Sequence, residues 1–295
     1  MVFLEHNVDA RIGRRQDRWW AAYGSGGTVY LPLVMADSGH RFASGTTNFT
    51  SVCRTMVNAE LARPADADIE AWAERSGDTV RVWVRATNRT AAALSAAENS
   101  ATVHALVWEE ARVGTTGRYV RGAPWAMVEA PLATGESAGF ALVTPTLVVH
   151  DWSKIHTTVV LDYRPGGSTG AYDMLQAAHA LPPALSLAPA VLELRSDAAS
   201  AGSETAVVAL SGPPGVRWTA TPGLDWVEVV PATGQLPASA TVRLVRDRLP
   251  PGTSHTSVAF GASGEGLLLA AELAVSAERI DPPRAVRRRV ERRDP

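Results

Sequence analysis

The stretch RWTATPGLDWVEVVPATGQLPASATVRLVRDRLPPGT, residues 217–253, holds two tryptophans, Trp218 and Trp226, each inside a short apolar run. A Pro/Gly turn separates them. Short alternating runs broken by Pro, Gly, Ser and Asp are the pattern of antiparallel strands joined by turns. The pattern continues on both sides: VLELR, TAVVAL, VRWTAT, DWVEVV, ATVRLV, TSVAFG and LLLAAELAVS make seven such runs at regular spacing. In the last, Leu267, Leu269, Ala271, Leu273 and Val275 fall on one face, as period two requires. Trp218 shares parity with Val216 and Ala220, and Trp226 with Glu228 and Val230. Removing an indole from water buries about 150–250 Å² at about 25 cal/mol per Å², so a small sandwich gains much from such anchors. The alternative is a sugar platform, which needs an exposed indole face beside polar neighbours. Packing is the favoured reading, and the platform stays open.

Upstream, ALPPALSL around Pro182 and Pro183 reads as a stiff linker, since paired prolines block a helix and disfavour a central strand. Before it, residues 56–180 also read as a β-sandwich. TVRVWVRAT alternates, with Val80, Val82 and Val84 opposed to Arg81, Trp83 and Arg85. In ATVHALVW, Val103, Ala105 and Val107 oppose His104, Leu106 and Trp108. Phe140 and Leu142 share a side, and Val159, Leu161 and Tyr163 run in step. If Trp108 and His104 lie across from Arg81, Trp83 and Arg85 on a neighbouring strand, that face is a candidate ligand or partner surface built on guanidinium–aromatic stacking. The competing reading packs it against the N-terminal segment.

Residues 1–55 read as mixed α and β. Asp9 is a candidate N-cap and Gly24 a candidate helix stop. Between them Ile12, Trp19, Trp20 and Tyr23 form one broad face, with Arg11, Arg14, Arg15 and Arg18 covering the rest. TVYLPLVMADSGHRFASG then reads as strand, turn, strand, the turn falling at Asp37, Ser38 and Gly39. Residues 277–295, RAVRRRVERRDP at their end, are arginine-rich and poor in apolar groups, which predicts a disordered tail.

With 295 residues and 46% hydrophobic content, the chain can build two or three cores. A net charge of -2 gives no overall attraction to nucleic acid or an anionic membrane. Lysine occurs once, at Lys154, against a large excess of arginine, a bias that fits GC-rich coding rather than a function. The single Cys53 rules out an intramolecular disulfide, a four-cysteine zinc site and a CxxC redox pair. No apolar run reaches membrane-spanning length. Glu5 and His6 break any apolar core of a signal peptide at the N-terminus, so none is expected within this chain.

Chemistry-bearing motifs are sparse. HDWSKIH places His150, Asp151 and His156 at a spacing that matches no standard zinc motif. No GxSxG elbow is present, and Gly24-Ser25-Gly26-Gly27 lacks the features of a phosphate loop. Asp162 and Asp173 could flank a pocket, although paired carboxylates are not recognisable from sequence. Cys53 reads as an inert thiol. Asn48-Phe49-Thr50 and Asn88-Arg89-Thr90 fit the glycosylation sequon. The sequence therefore predicts no enzyme, no catalytic residue, no cofactor and no metal.

The segment Trp218…Leu224-Asp225-Trp226-Val227-Glu228-Val229-Val230-Pro231-Ala232-Thr233-Gly234, then a strand, Leu249-Pro250-Pro251-Gly252-Thr253 and another strand, resembles a BACON domain over residues 185–276. That resemblance implies an immunoglobulin-like sandwich of a kind carried by secreted and cell-surface bacterial proteins, often beside carbohydrate-active enzymes. Its implied role is carbohydrate or mucin binding, and many members act as spacers. LPLVMADSGHRFASG is similar to the thioredoxin segment that carries a cis-proline, here Pro32, before a strand and hairpin. The helix start at residues 8–13 has no cysteine, so disulfide exchange would be lost.

Together these imply a mainly β protein: a short thioredoxin-like α/β remnant (1–55), a β-sandwich (56–180), a BACON-like sandwich (185–276) and the tail. The expected function is a non-catalytic extracellular or cell-envelope adhesion or scaffold protein, with glycans or cell-surface proteins as partners. The candidate ligand-binding residues are Arg81, Trp83, Arg85, Trp108, Trp218 and Trp226. The alternatives are a thioredoxin-derived redox or enzyme-associated protein and a pure spacer.

Overall fold

The computed structural model describes residues 4, 14–23, 33–45, 48–112, 117–197, 204–264 and 266–281. Asp9, Arg11, Ile12, Gly24, Pro32, the cysteine-free 8–13 segment, the glycine run and residues 282–295 of the basic tail lie outside them. Residues 277–280, expected in that disordered tail, instead end the last strand, Leu267–Ile280, where Ala277 is buried. The protein is mainly β. Nineteen strands and three short α-helices are present among the described residues. The chain divides into two compact units, Met1–Pro183 and Ala184–Pro295, with the boundary at the diproline.

The first unit is a two-sheet sandwich with a small α/β layer on its outer side. One sheet has three antiparallel strands: β3 (Ala67–Ser76), β4 (Thr79–Asn88) and β8 (Ser137–Val143). The other is built from β5 (Thr102–Glu109), β6 (Tyr119–Gly122), β7 (Trp125–Met127), β9 (Ile155–Tyr163) and β10 (Asp173–His179), with β5 and β9 at its centre. The core between the sheets draws Val80, Val82, Val84 and Leu142 from one side, and Val103, Ala105, Val107, Val159 and Leu161 from the other. These are the faces that alternation predicts.

Every residue of β5 is buried. Its second face is apolar too, and Leu106 and Trp108 join Val120 and Val160 in a cluster on the outer side of the sheet. That outer face meets α1 (Arg15–Tyr23), the hairpin β1 (Leu33–Ala36) and β2 (Arg41–Ser44), and α2 (Phe49–Leu61). Asp37, Ser38 and Gly39 close the hairpin with φ of 48°, 59° and 106°. Gly39 is required twice over: a Cβ there would stand 2.8 Å from Ala22 Cβ of α1, in a conformation L side chains rarely adopt. The expected boundary near residue 55 does not separate compact units, because ion pairs tie α1 and the end of α2 to β9 and β10.

β4 and β5 lie in different sheets, which corrects the expected neighbour relation. The chain between them forms the Leu94–Leu132 bridge and α3 (Ala96–Asn99), and so crosses the sandwich. Asn88 holds the start of that crossover: its Nδ2 donates to the carbonyls of Ala92 and Leu132, and its Oδ1 accepts from Thr90 N. Fully buried and committed in this way, Asn88 offers no free amide, so its sequon is not a modification site in the folded chain.

The second unit has a four-stranded sheet of β11 (Ser186–Ala188), β13 (Thr205–Ser211), β17 (Ala238–Leu244) and β15 (Val227–Val230). A five-stranded sheet holds β12 (Val191–Asp197), β19 (Leu267–Ile280), β18 (Gly252–Gly264), β14 (Arg217–Pro222) and β16 (Thr233–Gln235). The seven predicted runs are all strands. β11 and β16, three residues each, are too short to show a period. One pairing departs from the antiparallel expectation: β12 and β19 run parallel, with Leu192 opposite Val275. These are distant segments of the unit, so no tight turn forces them antiparallel.

Trp218 and Trp226 are 1% and 3% exposed, which places both in this core and leaves neither indole face open to a sugar ring. Trp218 tilts against Phe260 with ring centroids 5.9 Å apart, and Gly234 of β16 lies against its pyrrole edge. A Cβ on Gly234 would stand 2.8 Å from Trp218 Nε1 and 3.1 Å from Cε2. Gly234→Ala is therefore expected to cost about 1–3 kcal/mol through overpacking, measured as a lower urea midpoint of the second unit's transition.

Candidate functional site

The outer layer of the first unit holds the densest polar chemistry in the described chain. Its centre is Asp162 on β9, fully buried. Arg15 Nη1 donates to Asp162 Oδ2 at 2.9 Å, while Arg18 donates from Nε at 3.0 Å and from Nη2 to Oδ1 at 2.5 Å. The Arg18 guanidinium also lies 3.9 Å from the centre of the Tyr172 ring. Arg15 reaches Ser38 Oγ at 3.1 Å, which fastens the hairpin turn to α1. The helix thus turns arginines inward and leaves Trp20 40% exposed, the reverse of the face predicted from apolar residues alone. The cause is Asp162, a carboxylate on an otherwise covered strand face, which needs buried cations.

His104 on β5 completes the cluster. It is fully buried, with Nε2 3.4 Å from Asp162 Oδ1 and no hydrogen-bond partner on either ring nitrogen. At that distance the contact is electrostatic. Burial pushes its pKa down to about 4 against the opposing charge of Asp162, so the ring is neutral at pH 7. Burial also works to raise Asp162. His104 and then Arg18 outweigh it and hold the carboxyl well below the usual range. Because His104 is uncharged at neutral pH, the guanidiniums carry that compensation there.

A depressed histidine pKa binds fewer protons in the folded state than in the unfolded one between pH 6.5 and 4. Stability therefore falls as pH drops through that window, by roughly 3 kcal/mol for a group buried this deeply. His104→Leu is expected to flatten this part of the acid limb, read from urea midpoints between pH 4 and 7. An unchanged slope would place the titration elsewhere.

A second cluster sits where α2 ends. Arg63 Nη2 donates to Asp173 at 2.7 Å, and its Nη1 donates to Glu60 at 2.8 Å and Asp37 at 3.4 Å. Glu60 also accepts from Arg41 at 2.6 Å and lies 3.0 Å from His40 Nδ1. Burial pushes Asp37 up to about 6, helped by the adjacent Glu60. Burial acts to raise Glu60 as well, but hydrogen bonds from Arg63 and His40 bring it down to about 2. Asp162 and Asp173, weighed from sequence as pocket carboxylates, thus serve separate arginine clamps.

On the far side, Glu109 is fully buried. It accepts from Arg121 at 2.7 Å and from the amides of His150 and Asp151 at 2.9 and 2.7 Å. In HDWSKIH, His150 Nδ1 faces Arg121, Asp151 caps the turn at Ser153, and His156 stacks on Trp108 with centroids 4.5 Å apart. No grouping of three or more metal-ligating side chains occurs among the described residues.

The sequence-predicted binding residues do not form one site. Trp83 is buried on β4, opposite Trp72 of β3, while Trp108 lies in the other sheet and donates to Thr158 Oγ1 at 3.1 Å. Arg85 faces Glu70 at 3.3 Å, and Arg81 stands in register with Glu74, as a cross-strand charge ladder places them. Trp218 and Trp226 belong to the other unit's core. The feature sequence reasoning missed is an open cavity of about 790 Å³ in the first unit, lined by α1, the hairpin, α2 and the outer face of β5, β9 and β10. Its one legible signal was the second apolar face of β5.

No family model matches the chain. No curated relative matches it either. Among solved structures it is similar to the BSP domain of a biofilm associated protein, at 16% identity over 73% of this chain, with a TM-score of 0.24. This chain spans 30% of that protein's length. It is also similar to a protein of unknown function from Porphyromonas gingivalis W83, at 10% identity over 72% of this chain and 99% of the other, with a TM-score of 0.24. A third is beta-glucosidase 3B from Thermotoga neapolitana in complex with glucose, at 13% identity over 38% of this chain and 15% of that one, with a TM-score of 0.21. Scores this low transfer no function to this chain.

Proposed function

We propose that this chain is a non-catalytic modular protein of a bacterial surface or cell envelope, whose two β-sandwiches act as scaffold. The observation that carries the reading is how its buried polar chemistry is used. Asp162, Glu109 and Glu60 each accept from two or more donors that join separate elements. A catalytic acid or base needs an accessible proton position, and these carboxylates give theirs to arginines and amides. The surface setting rests on the BACON-like pattern of residues 185–276. Within that reading the spacer role is favoured over glycan binding, because burial of Trp218 and Trp226 removes the aromatic platform. The full chain on a glycan array is expected to stay blank. Saturable binding to any glycan that weakens on substituting residues of the second unit would overturn the spacer reading.

A further inference from the structure

We infer that the cavity on the outer face of the first unit is a binding site for an uncharged, mainly apolar small molecule. Its volume of about 790 Å³ lies within the range of sites that enclose a small ligand. Three walls meet there: Trp20 from α1, Met35 from the hairpin with Val57 from α2, and Leu106, Val160 and Met174 from the sheet. Methionine and tryptophan offer polarizable, adaptable surface, suited to a flat or branched hydrocarbon body. Thr158 Oγ1 and His179 Nδ1, which pair at 3.2 Å, add polar atoms to the wall.

Charge decides the class of occupant. The ionised groups on the wall already have partners. Arg15 is held by Asp162, and Arg63 by Glu60, Asp37 and Asp173. Glu60 is held further by Arg41 and His40. Among the described residues a carboxylate or ammonium headgroup would meet no free counter-charge and would have to break one of these pairs. A neutral molecule meets no such penalty, and its apolar body gains the burial that an open cavity leaves unrealised.

Nile red, neutral and fluorescent only out of water, tests this on the full chain, with laurate as an ionised apolar competitor. The expected result is saturable one-to-one binding that laurate does not displace. Filling the cavity with Val57→Trp, or independently with Ala177→Trp, should weaken Nile red binding about tenfold or more with the unfolding midpoint retained. Leu268→Ser, at an exposed apolar position of the other unit, should leave it unchanged. Absence of saturable binding, displacement by laurate, insensitivity to both filled variants, or loss on Leu268→Ser would each overturn the inference. If one filled variant fails to fold, the other decides.

Discussion

Asp162→Ala is expected to destabilise the first unit by about 3–5 kcal/mol, the cost of leaving a buried charge without its partner. The residue it removes is fully buried and accepts from Arg15 Nη1, Arg18 Nε and Arg18 Nη2. With it gone, Arg18, itself fully buried, has lost its counter-charge inside the protein and is driven toward water. Urea unfolding of the full chain should show the loss in the transition of Met1–Pro183 alone, because the cluster lies wholly within that unit. A companion variant separates structure from chemistry. Replacing Arg15, Arg18 and Asp162 together by leucine or methionine removes the charges as a set, and should recover most of the loss. A loss below about 1 kcal/mol in the alanine variant would mean that water already reaches the cluster.

Trp218→Ala is expected to cost the second unit about 3–5 kcal/mol, as large aromatic-to-alanine changes in a packed core do. The indole is 1% exposed, tilts against Phe260 and is backed by Gly234. It has one weakness: Nε1 is buried without a hydrogen-bond partner. Phenylalanine lacks that donor, so Trp218→Phe should cost much less than alanine, trading lost area against a removed desolvation penalty. Both effects belong to the transition of Ala184–Pro295, and the first unit's midpoint should not move. Equal losses for the two variants would show that packing alone decides.

The β architecture was readable because period two survives wherever a strand has one core face. The valines of β4 and the leucines of β19 announced both strand and face. Three-residue strands such as β16 carry no period, so the contact between Gly234 and Trp218 was visible only as a W…G spacing in the quoted stretch. The outer layer of the first unit was misread for a different reason. Apolar patterning assigns arginines to solvent, yet Arg15 and Arg18 are buried, because Asp162, far away in sequence, supplies their charge. Pairing between distant charges leaves no local mark, and a cavity whose walls come from separate elements leaves only the second apolar face of β5. For the charge pairing the hint was a carboxylate in TTVVLDYRP, on the same strand face as Val160 and Thr158.

The central claim is that burial between sheets, rather than ligand recognition, determines where the indoles sit. Fluorine NMR of the full chain labelled with 5-fluorotryptophan tests it directly, with resonances assigned by single Trp→Phe changes and a soluble paramagnetic agent added. The account predicts strong broadening for Trp20 and Trp125, each 40% exposed, and sharp lines for Trp83, Trp108, Trp218 and Trp226. Broadening of Trp218 and Trp226 to the extent seen for Trp20 would contradict it and return both indoles to the surface as a binding platform.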